Sequence, residues 1–205
     1  ILKQKCYSLM EQKYSDLTVI LTGGDSNFLS KQLKSSIFAT SNFLLEGLNF
    51  ILQFNVIENQ KVNVFFSIDK FNEVNTQIFI DYFFEKKIRV FVPKIQDKKI
   101  ISVEIFPDSE YEINSWGIKE PISNIASNVE LDYVLTPLLY CDNFGNRVGY
   151  GKGFYDSFFS RYLEIHKKIG LNFFSPNEGI ADVFQKDIAL DGLITPSEYI
   201  DFTVK

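Results

Sequence analysis

RVGYGKGFYD, residues 147–156, is the stretch on which the reading of this chain turns. Glycine takes every second position at Gly149, Gly151 and Gly153, Arg147 and Lys152 thread around them, and the stretch closes on Phe154, Tyr155 and Asp156. It lies between an apolar run ending near Tyr140 and a helix-patterned segment beginning near Phe154, so it reads as a strand-to-helix loop. Its spacing is neither that of a dinucleotide fingerprint nor that of a P-loop. The physics is nonetheless similar. Alternate glycines let the backbone bring N–H groups close to a ligand, and successive N–H groups beside a helix amino terminus form a concave anion site. Arg147 offers a planar fork and Lys152 a point charge, both suited to phosphate oxygens. Asp156, in the first helical turn, can hold Mg²⁺ directly or through water. A triphosphate with its metal fits this loop. A plain tight turn, with Asp156 as a partner of the helix dipole, also accounts for the same residues.

Outward from the loop, short β-branched and aromatic runs alternate with helical spacing. VNVFFSI (62–68), IRVFVP (88–93), ISVEIF (101–106), LDYVLTPLLY (131–140), KIGLNFF (168–174) and LDGLIT (190–195) read as strands, and 73–87 and 154–166 as helices. This alternation predicts a three-layer α/β/α domain with a mostly parallel sheet and its ligand at the carboxyl ends of the strands. The first third is different: helices over 1–14, 28–37 and 43–54 surround one strand, LTVIL (17–21), which ends in TGGD. A helix-rich segment is therefore expected ahead of the sheet.

The 205 residues, 45% hydrophobic and 23% charged, suit one soluble α/β domain or a domain plus a fragment of another. The sequence starts at Ile1 rather than Met, so a missing or replaced amino terminus is expected. No apolar run reaches membrane-spanning length and no basic-then-apolar leader opens the sequence, which gives a cytoplasmic, membrane-free expectation. Two distant cysteines, Cys6 and Cys141, indicate neither a disulfide framework nor a zinc site. A net charge of -5 argues against nucleic acid and for a small-molecule ligand; a monomer is the expected state. His166, the lone histidine, reads as a cation at a helix end rather than a catalyst.

RVGYGKGFYD, preceded by LDYVLTPLLYCDNFGN, closely resembles the signature of the 5-formyltetrahydrofolate cyclo-ligase (methenyltetrahydrofolate synthetase) family. FSIDKFNEVNT (66–76), SWGIKEP (115–121) and the tail over 169–196 follow in the family's order, so the resemblance covers roughly 56–205. It implies an enzyme that uses Mg²⁺ and ATP to convert 5-formyltetrahydrofolate to 5,10-methenyltetrahydrofolate, releasing ADP and phosphate. By the family pattern, Arg147, Gly149, Tyr150, Gly151, Lys152, Gly153, Phe154 and Tyr155 hold ATP, and Arg147 and Lys152 serve catalysis. The same pattern makes Asp156 and Asp187 the magnesium ligands, and places Phe66, Glu73, Tyr150, Lys152 and Phe154 against the folate. Trp116 joins that pocket or the core. Glu73 also reads as an ordinary acid at a helix amino end.

Residues 1–55 resemble something else. KYSDLTVILTGGDSNFLSKQLKSSIFATSNFLLEGLNFILQFN looks like the carboxyl-terminal end of a type III pantothenate kinase, in which Gly23 and Gly24 of TGGD would pack near the adenosine. The kinase's phosphate-binding and pantothenate motifs have no counterpart here, so a strand-to-helix turn capped by Asp25 or Ser26 is the favoured reading of TGGD. The cyclo-ligase family's basic opening helix is also absent, with only Lys3 near its place. The expectation is a kinase-like remnant over 1–55 joined to a cyclo-ligase-like domain over 56–205. Its rivals are a catalytically impaired fusion that binds nucleotide or folate, and a kinase fragment. Lys152→Met should reduce turnover of 5-formyltetrahydrofolate to background and leave the melting temperature unchanged, because a loop lysine facing phosphate adds charge to a transition state and little to packing. Near-normal turnover in that variant removes Lys152 from the mechanism.

Overall fold

The computed structural model describes residues 19–21, 37–39, 60–68, 73–97, 99–115, 117–148, 151, 153–176, 178–196 and 198–204. The chain divides into two compact units, 1–45 and 46–205. In the first, β1 (Val19–Leu21) and β2 (Ile37–Ala39) pair in parallel, Val19 opposite Ile37. The helix-rich expectation is not supported there: the described residues of this unit are strand. Ile37, expected to close a helix, opens β2 instead, because backbone pairing with β1 outweighs a helical spacing of apolar residues. The segments 1–14 and 43–54, TGGD, and nearly all of 28–37 lie outside the described residues.

The second unit holds a seven-stranded sheet, and all but the last of its strands form from the apolar runs singled out above; the edge strand at 199–201 was not foreseen. The seven are β3 (Lys61–Val64), β4 (Arg89–Gln96), β5 (Lys99–Ile105), β8 (Leu131–Pro137), β11 (Ile165–Leu171), β12 (Gly192–Ile194) and β13 (Tyr199–Asp201). Two hairpins stand beside it: β6 (Tyr111–Ile113) with β7 (Lys119–Pro121), and β9 (Tyr140–Cys141) with β10 (Arg147–Val148). The order β13-β12-β11-β8-β3-β4-β5 has five parallel strands at its centre and an antiparallel strand on each edge. Neighbouring residues such as Val90, Phe91 and Val92 are all buried, as are Val134 and Leu135. Side chains alternate along a strand, so both faces of this sheet are covered. The protein is of the α/β class, as expected.

Two helices are described in this unit, α1 (Gln77–Glu85) and α2 (Phe154–Arg161), both shorter than their patterns suggested. α1 ends where Lys87 takes a left-handed conformation, φ 56°, with its N–H on Phe84 O. It begins four residues after Glu73, whose carboxylate serves the loop before it. α2 stops at Arg161 because residues from Ile165 pair with β8 in parallel, Ile165 opposite Leu131. His166 therefore sits on a strand, exposed, its ring edge-on to Tyr133 at 6.4 Å, and not at a helix end.

Chain order fixes where a ligand fits. β3 lies inside the sheet; the chain runs outward on one side through β4 and β5 and then returns to β8 on the other. That reversal between β3 and β8 is a topological switch point, with a crevice beyond the carboxyl ends of the two strands. Phe65, just after β3, meets Tyr155 and Phe158 of α2 edge-to-face at 4.8 and 5.2 Å, so the crevice floor and α2 share one cluster. Phe158 is fully buried in it. Phe158→Ala should destabilise by about 3–5 kcal/mol through lost transfer energy and a residual cavity, read as a lower denaturant midpoint at unchanged slope.

Candidate functional site

Beyond β8 the chain makes a tight excursion from Cys141 to Arg147, and one carboxylate organises it. Asp142 is buried, with 1% of its surface exposed. Its Oδ1 accepts the N–H groups of Phe144 and Asn146, each at 2.9 Å, and its Oδ2 accepts Asn146 Nδ2 at 2.9 Å and the Ile180 N–H at 3.1 Å. Burial alone would raise the Asp142 carboxyl, but these donors outweigh it and hold the group below the usual carboxylate range. Gly145 completes the turn at φ 81°; a Cβ there would lie 2.5 Å from Leu190 O, so both conformation and space demand glycine. Beside it the Cys141 thiol is pushed up to about 12, by burial first and by Asp142 second, which makes it an unreactive core thiol.

This turn delivers β10 and the glycine loop. Arg147 lines the cavity described below, yet its side chain is only 5% exposed. Its Nη2 pairs with Asp156 Oδ1 at 2.6 Å, its Nη1 donates to Ile188 O, and the guanidinium lies over the rings of Tyr155 and Phe159 at 5.5 and 4.9 Å. Asp156 Oδ1 also accepts the Ile188 N–H at 3.1 Å. Gly151 and Gly153 both have positive φ, 69° and 65°, and a Cβ on either would meet nothing within 4 Å. Glycine is thus required here by backbone conformation and not by crowding. Gly153 is the residue before α2, whose amino end has no side-chain cap. Gly149, Tyr150 and Lys152 lie outside the described residues.

A cavity of about 1070 Å³ joins this loop to the strand ends. One part of its wall carries Arg147, Gly151, Gly153, Phe154, Tyr155 and Asp156, together with the segment from Ile180 to Ala189, which includes Asp187. The other part comes from the ends of β3, β4 and β7: Phe65, Phe66 and Ile68; Pro93, Lys94 and Ile95; Ile118, Lys119 and Glu120. Asp156 and Asp187, 31 positions apart, thus share one cavity, linked through the Ile188 N–H. Asp187 is exposed and its Oδ2 accepts the Phe184 N–H at 2.9 Å. Phe66 lies on the wall, buried, with the Lys119 ammonium 4.8 Å above its ring. Glu73 is not on the wall. It is buried one hydrogen bond behind, its Oε2 accepting the N–H of the lining residue Ile68 at 2.7 Å. Trp116 lies outside the described residues.

The sequence reading passed over four wall or support residues: Lys94, Lys119, Glu120 and Asp142. Lys94 is buried, its ammonium donating to the carbonyls of Pro121 at 2.6 Å and Ile122 at 3.1 Å. Glu120 is buried and accepts the Ile95 N–H at 3.0 Å. Lys119 and Glu120 stand in the quoted SWGIKEP, where a basic and an acidic residue beside a strand were the available signal.

Asp142 gives a pH prediction. Its folded-state pKa is depressed, so its contribution to stability is fully present above the unfolded-state value of an ordinary aspartate and is lost as pH falls through the lowered folded value. Asp142→Asn should lower stability by about 1–3 kcal/mol at pH 7, since at least one backbone N–H loses its acceptor. It should also flatten the acid limb of the stability–pH curve below about pH 4; urea melts from pH 2 to 7 check both effects.

Comparison with known proteins finds likeness to two families. The model of the 5-formyltetrahydrofolate cyclo-ligase family matches residues 49–173. A 5-formyltetrahydrofolate cyclo-ligase of Haemophilus influenzae is 40% identical over 60 residues, 28% of this chain and 32% of that protein. A type III pantothenate kinase of Christiangramia forsetii is 71% identical over 45 residues, 22% of this chain and 18% of the kinase. The chain thus spans less than a third of either relative. The solved structure of the 5,10-methenyltetrahydrofolate synthetase of Aquifex aeolicus superposes with a TM-score of 0.62 at 22% identity, covering 87% of this chain and 91% of that one. The fold is shared, and the family match spans more than half of the sequence: the chain belongs to the 5-formyltetrahydrofolate cyclo-ligase family.

Proposed function

We propose that this protein converts 5-formyltetrahydrofolate to 5,10-methenyltetrahydrofolate at the expense of ATP. The observation that carries the reading is the single cavity at the switch point, which joins a glycine loop with two carboxylates to a wall of aromatic and aliphatic residues. At about 1070 Å³ it stands at the upper end of small-molecule sites, large enough for a nucleotide beside a reduced pterin. Gly151, Gly153 and the uncapped start of α2 suit phosphate oxygens. Asp156 and Asp187 are hard oxygen donors, the type magnesium takes, with phosphates and waters completing its shell. When bound there, magnesium supplies positive charge that offsets the phosphate oxygens.

The residues then act chiefly by position. Phosphoryl transfer needs little covalent help from a protein beyond alignment and charge stabilisation. The formyl oxygen takes the γ-phosphoryl group and ADP leaves; N10 attacks the activated formyl carbon and gives up its proton; the C–O bond breaks and phosphate departs with the original formyl oxygen. Arg147 holds Asp156 and the Ile188 carbonyl in place, fixing the loop against α2. Lys152 is the cation this proposal assigns to the transferring phosphate. Phe65, Ile68, Pro93 and Ile95 form the apolar surface for the pterin, and Glu73 anchors it from behind through Ile68. The kinase-like match covers 18% of its relative and carries no activity of its own into this proposal.

Incubation with ATP, Mg²⁺ and 5-formyltetrahydrofolate should produce the methenyl chromophore, with no product when either ATP or Mg²⁺ is omitted. Absence of product from folded protein overturns the reading. The two carboxylates should separate in calorimetric titrations. Asp187→Asn should weaken Mg²⁺-dependent ATP binding about tenfold or more with an unchanged melting temperature, since its carboxylate is exposed. Asp156→Asn should weaken it similarly and also lower the melting temperature, because it removes the carboxylate facing a buried guanidinium. Unchanged magnesium dependence in both variants removes the metal assignment.

A further inference from the structure

Two lysines stand on the aromatic side of the cavity, and they are not alike. Lys94 is internally satisfied: its ammonium donates to the carbonyls of Pro121 and Ile122 and approaches Glu112 at 3.3 Å. Lys119 is held, among the described residues, without a direct ion pair. Its ammonium lies 4.8 Å from the centre of the Phe66 ring and 4.2 Å from that of Tyr111. The two rings meet edge-to-face at 5.6 Å and 89°, forming a fixed corner. One N–H donates to Gln77 Oε1 at 2.9 Å, and the Gln77 amide is itself oriented by Nε2 donating to Asp81 Oδ1 at 2.9 Å. Among the described residues, no carboxylate forms a salt bridge with Lys119.

An ammonium has three donors, and here one is used. Aromatic faces stabilise a cation while leaving its remaining donors available. The side chain is thus fixed beforehand on a rigid wall facing an apolar cavity, so an anion that binds it need not first order a flexible lysine. The ammonium stands over the Phe66 ring, which serves it as a platform.

We propose that Lys119 is a specificity-determining residue that binds a carboxylate of the glutamate portion of the substrate, so that this wall selects the acidic folate over a neutral pterin. The inference rests on the folate reading above, in which the phosphates belong to the glycine loop and the glutamate carboxylates are the remaining anions of the two substrates. β7 then recognises the tail while β3 and β4 receive the ring.

The test compares 5-formyltetrahydrofolate with its diester, in which both carboxylates are neutral, by calorimetry on the full chain and by steady-state turnover. The wild type should bind the diacid about tenfold or more tightly than the diester, the scale of a charge-assisted contact. Lys119→Met should abolish that preference, raise KM for the diacid by a similar factor with kcat within about twofold, and leave diester binding unchanged. Lys119→Arg should retain the preference, since a guanidinium also rests on aromatic faces and forks to a carboxylate. Loss of both ligands together in Lys119→Met, or unchanged diacid binding, overturns the proposal. A wild type without turnover that still prefers the diacid through Lys119 leaves this inference standing and removes the catalytic reading. A wild type that binds neither ligand removes both.

Discussion

A guanidinium buried to 5% exposure must find its charge partners inside the protein, and the site is arranged around that demand. Arg147 meets it with Asp156 from α2, the Ile188 carbonyl from the segment before β12, and the rings of Tyr155 and Phe159. Three stretches of chain that belong to different parts of the sequence are thereby held around one side chain. The glycine loop leaves β10 from a fixed point and enters α2 at another. Asp142 secures the preceding turn in the same manner, spending its two oxygens on Phe144, Asn146 and Ile180. Polar groups removed from water tolerate few arrangements, so these two contacts specify geometry more strongly than apolar packing could.

The sheet supplies the other constraint. Five parallel strands with both faces covered leave their carboxyl ends as the open edge, and the reversal of chain direction between β3 and β8 parts the loops there. Phe65 links this opening to the core through Tyr155 and Phe158. The Tyr155 hydroxyl donates to Pro137 O at 2.9 Å, tying α2 to the end of β8. A floor of packed aromatic residues, the glycine loop on one side and an apolar wall on the other bound one cavity.

One chain carries likeness to two families, with unlike reach. The cyclo-ligase family match takes in residues 49–173, which include the strands from β3 to β11. The kinase match is higher in identity but confined to 45 residues. A short stretch of high identity cannot form a catalytic site whose groups come from a whole fold, whereas the longer match includes the glycine loop and the part of the cavity wall that comes from β3, β4 and β7. Function belongs to the assembled site, and the assembled site described here lies in the second unit.

Much was legible in residue order alone. Strands β3, β4, β5, β8 and β12, and the second half of β11, arise where short β-branched and aromatic runs predicted them, because burial on both faces leaves a local mark that a sequence shows directly. The glycine loop was legible for the same reason: its positive φ values at Gly151 and Gly153 are properties of single residues. What escaped were pairings between distant positions. The spacing around His166 looked helical until β8 claimed that segment as a strand. Arg147 looked free for phosphate, and the fold gave it Asp156, a partner nine positions on, across a turn whose geometry no local pattern states. Glu73 looked like a ligand contact and was placed behind Ile68, while Lys119, unremarkable in SWGIKEP, was raised onto the rings of Phe66 and Tyr111. The sequence by itself determined which backbone conformations and periodicities were available. The tertiary structure decided which charge faces which, since electrostatic contacts depend on through-space distances that only the closed sheet brings down to a few ångströms.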